Sequence, residues 1–132
     1  SRHVRVSAFP LRHKIECYGY RFDGIPSERH PDVPSFAYCS DTIGFPALAD
    51  YVRGVRLLYH EATYTAELSD KAALRWHSTT EDAARCARDA GVGKLVVGHY
   101  SSRITDFDAY LAECVAIFPN TAAAKDGDVF VF

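Results

Sequence analysis

The sequence predicts an α/β fold, on three observations. Apolar and polar residues alternate near the front as in paired strands, and apolar runs alternate with segments of helical period through the rest. Polar residues capable of chemistry also gather where the later apolar runs end. With 132 residues, 48% hydrophobic and 24% charged, the chain is long enough for one domain with a core, or for a large part of one.

Residues 3–9 alternate through Val4, Val6 and Ala8, and residues 15–22 are rich in aromatic and apolar side chains, so two strands are expected around a polar turn at Arg12, His13 and Lys14. Residues 23–35, DGIPSERHPDVPS, contain three prolines and a glycine without periodicity and read as a loop. A short strand at 36–40 precedes a helix over 44–52, whose Phe45, Leu48, Ala49 and Val52 recur at helical spacing. The run VRLLY (55–59) is a buried strand closed by His60, Glu61, Ala62 and Thr63. Ser78 with Glu81 three residues on reads as a capping box, opening a helix through Ala83, Ala84, Ala87 and Ala90 to Gly91 and placing His77 at its amino-terminal mouth. Residues 94–98 form another strand. A helix then carries Phe107, Tyr110, Leu111, Cys114, Ile117 and Phe118 on one face until Pro119 stops it. Asp126-Gly127 is the expected turn of a hairpin between 122–124 and 129–132.

No stretch approaches the roughly 20 apolar residues of a membrane span, and Ser1 to Arg5 are too polar for a signal sequence, so a cytoplasmic protein is expected. Cys17, Cys39, Cys86 and Cys114 show no CxxC spacing and lie in segments expected to be regular, which favours free thiols over disulfides or a zinc knuckle. Net charge is only −2, which excludes binding to nucleic acid by bulk charge. The distribution is uneven: residues 1–30 hold six Lys or Arg against three acids, +3, and the remainder sums to −5.

Asp41 follows one predicted strand, His60 and Glu61 a second, and His99 a third. In α/β sheets the crevice beyond the carboxyl ends of the strands is where ligands bind, so the three together point to a site. Imidazole and carboxylate donors suit zinc better than magnesium, and no cysteine is placed to join them.

The strings PLRHKIECYGYRF (10–22), AYCSDT (37–42), YHEAT (59–63), HST (77–79), GHYSSR (98–103) and IFPNT (117–121) resemble, in order, the motifs of the ribonuclease Z family. The resemblance implies the second half of a metallo-β-lactamase domain, a four-layer αββα sandwich with two zinc ions between its halves, acting on precursor tRNA to remove the 3′ trailer and working as a homodimer. It implies that His13 and His99 are zinc ligands, that Asp41 bridges the two ions, and that Glu61 holds His77 as the general acid for the leaving 3′ oxygen. Arg103 and Ser101, beside His99, suit a substrate phosphate. An arginine paired with Asp106 or Asp108 at a helix start is the equal alternative. His60 reads as a support for Glu61, and His3 and His30 have no assigned role. Tyr18, Tyr20 and Phe22 alternate as a base-stacking platform would, but core or interface packing is the favoured reading.

Two departures from the family pattern bear on activity. The HxHxDH loop that supplies most ligands and the general base is absent, so residues 1–132 are expected to be the carboxy-terminal part of a longer domain, with an incomplete site. Where a long tRNA-binding arm is expected, residues 23–35 offer only a Pro-rich loop. A phosphodiesterase of small esters, or an inactive tRNA-holding fragment, are the competing readings.

Overall fold

The computed structural model describes residues 3–132; Ser1 and Arg2, counted above among the polar leading residues, lie outside the described residues. Six strands form one mixed sheet in sequential order: β1 (Val4–Pro10), β2 (Tyr18–Gly24), β3 (Ser35–Cys39), β4 (Leu57–Glu61), β5 (Lys94–Gly98) and β6 (Thr121–Ala123). β1, β2 and β3 are an antiparallel meander, and β3 to β6 run parallel. Parallel neighbours need a crossover, and helices supply it. α1 (Leu48–Tyr51) lies between β3 and β4, α2 (Ser69–Arg75) and α3 (Thr80–Ala90) between β4 and β5, and α4 (Phe107–Ile117) between β5 and β6.

Period-2 alternation gives the sheet two unlike faces. One carries Phe9, Ala37, Cys39, Leu58, Leu95 and Val97 into a core shared with Leu48 and Val52, with Ala83, Ala84, Ala87 and Ala90 of α3, and with Tyr110 and Cys114 of α4. The alanine stripe lets α3 lie close to the strands. Phe36, Tyr38, Leu57, Tyr59 and Val96 line the other face, with Phe130 and Phe132 of the carboxyl-terminal tail against them. Tyr38 and Tyr59 stack at 4.8 Å, and burial pushes the Tyr59 phenol up to about 12.

The expected sequence of meander followed by strand and helix alternation is therefore present, with local differences. β2 starts at Tyr18 rather than Ile15, because residues 11–17 are a loop closed by the Leu11 amide donating to the Cys17 carbonyl at 2.9 Å. Cys17 consequently lies outside regular structure, although all four cysteines are free. β4 is displaced two residues onward, so His60 and Glu61 belong to the strand and pair with Val97 and Gly98. The helix over 44–52 shrinks to a single turn, since residues 43–45 are irregular and Pro46 and Ala47 form a turn.

At the head of α3 the capping box uses Thr79 and Asp82 instead of Ser78 and Glu81: the Asp82 amide donates to Thr79 Oγ1, and the Thr79 amide to the Asp82 carboxylate. Both pairs satisfy the pattern. Ser78 is excluded because its hydroxyl, fully buried, donates to the Thr42 carbonyl at 2.7 Å. α2 carries no clear periodic signal and is not foreseen; it ends on Trp76 in the left-handed region, φ 62°. The turn at Gly127 forms, with Asp128 donating to the Lys125 carbonyl, but residues 129–132 build no strand. Instead the tail turns its aromatic side chains onto the sheet: Phe132 meets Phe36 at 5.9 Å and Lys94 Nζ lies over the Phe130 ring. No helix among the described residues is long and apolar enough to cross a membrane.

Candidate metal centre

The carboxyl ends of β3, β4 and β5 bring Asp41, Glu61 and His99 to one edge of the sheet, and backbone bonds pull two further segments to the same edge. Ile43 donates to the Arg12 carbonyl at 2.9 Å and the Arg12 amide donates to Thr42 Oγ1 at 3.1 Å, tying the His13 loop to the Asp41 loop. Tyr64 donates to the Ser78 carbonyl and Thr80 to the Tyr64 carbonyl, which fixes the His77 segment against the turn after β4. Tyr110 of α4, fully buried, donates its hydroxyl to the Ala62 carbonyl at 2.6 Å and anchors that turn from below.

Glu61 is the hub. Its side chain is fully buried, and its carboxylate receives donors from three loops. Oε1 accepts from the amides of Thr42 (3.0 Å) and Ser78 (3.1 Å) and from His77 Nδ1 (2.8 Å). Oε2 accepts from the amide and the hydroxyl of Thr63, at 3.0 and 2.8 Å. A carboxylate offers roughly four lone-pair directions, so Glu61 is saturated without any metal. Although Glu61, His77 and His99 lie close enough to share an ion, this saturation makes Glu61 a positioning group rather than a ligand.

The hydrogen bonds also decide the tautomers of three imidazoles. The Trp76 carbonyl can only accept, so His13 donates from Nδ1 at 2.9 Å. Glu61 likewise accepts from His77 Nδ1. The Thr63 hydroxyl already spends its proton on Glu61, so it accepts from His99 Nδ1 at 2.8 Å. Each ring thus anchors its Nδ1–H; in a neutral ring Nε2 is then left with the lone pair that a metal ligand requires, and in a protonated one with a proton to give. Two of those nitrogens face opposite oxygens of one carboxylate: His99 Nε2 lies 3.4 Å from Asp41 Oδ1, and His13 Nε2 3.8 Å from Asp41 Oδ2. These spacings are long for hydrogen bonds. Ligands about 2.1 Å from a tetrahedral zinc stand roughly 3.4 Å apart, so the His99–Asp41 gap fits donors that would share an ion and the His13–Asp41 gap is wider.

His99 takes a left-handed backbone, φ 61°, which is uncommon for a residue with a Cβ and costs on the order of 1 kcal/mol. The three rings form a row, with His77 centred 5.1 Å from His13 and 5.2 Å from His99. His60 points to the helical side instead; it is fully buried, donates Nδ1–H to the Glu61 carbonyl at 2.6 Å, and burial pushes it down so that it stays neutral. Arg103 and Ser101 reach the rim beside His13 and His77. Ser101 Oγ accepts from the Arg103 amide, and the Arg103 guanidinium forms no ion pair with Asp106 or Asp108 among the described residues.

The structure therefore gathers all seven residues singled out in the sequence around one crevice. It adds Thr63, Thr42, Ser78 and the Trp76 carbonyl, which the sequence reading did not assign. Thr63 stands in the YHEAT string, whereas a backbone acceptor such as Trp76 leaves no mark in a sequence.

No family model matches the chain. Ribonuclease Z of Bacteroides fragilis is 46% identical to it over 167 residues, taking in 95% of this chain and 55% of that protein, and ribonuclease Z of Porphyromonas gingivalis is 44% identical over 128 residues, 93% of this chain and 42% of that protein. Along nearly its whole length the chain is homologous to proteins named ribonuclease Z. It spans about half the length of the curated relatives it matches. Among solved structures, human short-form tRNase Z superposes with a TM-score of 0.75 at 25% identity, over 99% of this chain and 44% of that one. The metallo-β-lactamase fold protein YhfI of Bacillus subtilis, at 20% identity, gives 0.82 over 96% of this chain and 49% of its own. Against that fold the chain matches as one sheet with its covering helices.

Proposed function

We propose that this chain supplies part of the active site of a zinc-dependent endoribonuclease that removes the 3′ trailer from precursor tRNA and leaves a 3′-hydroxyl. The observation that carries this reading is the common posture of the rings: His13 and His99 spend Nδ1–H on fixed acceptors and turn Nε2 to the two oxygens of Asp41. Nitrogen donors flanking a carboxylate suit zinc, and His13, Asp41 and His99 are the residues of this chain that would hold it. When bound, the metal would supply Lewis-acid stabilisation and a water of lowered pKa.

His77 is the acid in this reading. Its Nδ1 is held by Glu61, which leaves Nε2 in the crevice, where a proton can pass to the leaving 3′ oxygen. Arg103 and Ser101 bind a substrate phosphate at the rim. The remaining ligands and the general base belong to a part of the domain outside this chain, and the protein acts as a cytoplasmic homodimer. One observation favours a second role for His77: a nitrogen of His77 lies within 4.8 Å of donors from His13 and Asp41, close enough for it to be a third ligand.

His77→Ala in the complete protein separates these roles. A general acid gives unchanged zinc content and a 10²- to 10⁴-fold slower cleavage of precursor tRNA; loss of zinc identifies a ligand. Turnover of a small phosphodiester with none of precursor tRNA would assign the site to small esters, and absence of both activities and of zinc would identify an inactive tRNA-holding part.

A further inference from the structure

Resting on the tRNA reading, we infer that Lys14, Lys71 and Arg75 form a phosphate track that holds the RNA backbone beside the cleavage site. The wall of the crevice next to His13 and His77 is lined by these three cations and Arg103, together with Tyr64 and Ser101, and no carboxylate joins them. Of the cations elsewhere, Arg21, Arg53, Arg56, Arg85 and Arg88 each carry an ion pair with an aspartate or glutamate, while Arg5, Arg12, Arg29, Lys94 and Lys125, scattered over the chain, carry none among the described residues. None of the four at the crevice does so among the described residues. In a chain of net charge −2, the concentration is local.

Lys71 and Arg75 stand four residues apart on α2 and so occupy the same face. Like charges at that spacing repel, which the place of Arg75 in the last turn of α2 offsets only in part. Both are nonetheless tied to the catalytic edge. Lys71 Nζ lies 5.5 Å from the centroid of Tyr64, whose ring meets His77 edge-on at 6.3 Å. Arg75 precedes Trp76, whose carbonyl receives His13 Nδ1, and Lys14 follows His13. Three unpaired cations leading to one crevice suit successive phosphates of a strand better than a single anion. Contacts of this kind position the strand without reading its sequence.

The test is steady-state cleavage of precursor tRNA by the complete, zinc-loaded protein over a salt series. Lys71→Gln and Arg75→Gln should each raise KM several-fold while kcat stays within about twofold, and each should reduce the slope of log(1/KM) against log salt by about 0.7. Arg75→Lys should keep the wild-type slope, as should Lys125→Gln, an exposed cation at the distant turn. If the wild type cleaves the tRNA but both glutamine variants keep its KM and slope, the track is refuted while the tRNA reading stands. Failure of the wild type to cleave precursor tRNA defeats the reading itself. A salt-sensitive, Lys71-dependent affinity for polyglutamate exceeding that for tRNA would reassign the surface to an acidic protein.

Discussion

Glu61 shows how much one side chain settles. Five donors from three loops converge on it, so the carboxylate is a building element of the site before it is a chemical one. Glu61→Gln keeps the shape but turns an NH₂ toward amides that can only donate. The expected loss is on the order of 3 kcal/mol, read from the urea midpoint; an unchanged midpoint would show the five bonds to be worthless. Thr63→Val is a subtler probe, because it removes the acceptor of His99 Nδ1–H while leaving every ligand in place. Zinc affinity should fall 10- to 100-fold in chelator competition. At this scale the candidate donors were legible as residue types, since His and Asp beyond strand ends are visible in a sequence. Their tautomers were not, because each is set by an acceptor far along the chain: Trp76 for His13, Thr63 for His99.

Helix starts and strand ends carry the errors of sequence reading, and for definite reasons. SerThr at 78–79 with GluAsp at 81–82 offers two registers of one capping pattern, and only the long-range bond from Ser78 to Thr42 selects between them. Thr79→Ala should therefore cost about 1 kcal/mol and lower the melting temperature by a few degrees, as expected for an N-cap. Glu81→Ala, whose side chain pairs with Arg85 on the surface, should change little. Equal losses from the two would contradict the register. β4 was misplaced because a buried His and Glu read as strand end, whereas His60 donates Nδ1–H to the Glu61 carbonyl and the Glu61 carboxylate is satisfied by loop amides. The sheet also depends on a close approach beside β5: a Cβ on Gly93 would stand 2.6 Å from the Arg56 carbonyl oxygen, which a flexible side chain cannot relieve.

Across the whole molecule, the order of strands and helices followed from periodicity except for α2 and the tail, and Asp41, Glu61 and His99 were expected together at the strand ends, whereas the arrival of His13 and His77 at the same edge did not follow from spacing. Spacing along the chain says nothing of which loops share an edge; parallel pairing of β3, β4 and β5 decides it. Global cooperativity can be read from the cysteines. Burial pushes the Cys86 and Cys114 thiols up to about 12 and raises that of Cys39 well above the ordinary range, because a thiolate loses its hydration in the core. Raising an acid's pKa favours the neutral form, so at pH 8 roughly 10⁻⁴ of Cys86 is thiolate, and thiolate is what alkylates. Unfolding returns each thiol to about 8.5 and raises that fraction by three orders of magnitude. With iodoacetamide at pH 8, the native chain should take no more than one label promptly, at the loop residue Cys17, while Cys39, Cys86 and Cys114 label together only when urea opens the core. Prompt alkylation of Cys86 without denaturant would show that α3 leaves the sheet independently of the rest.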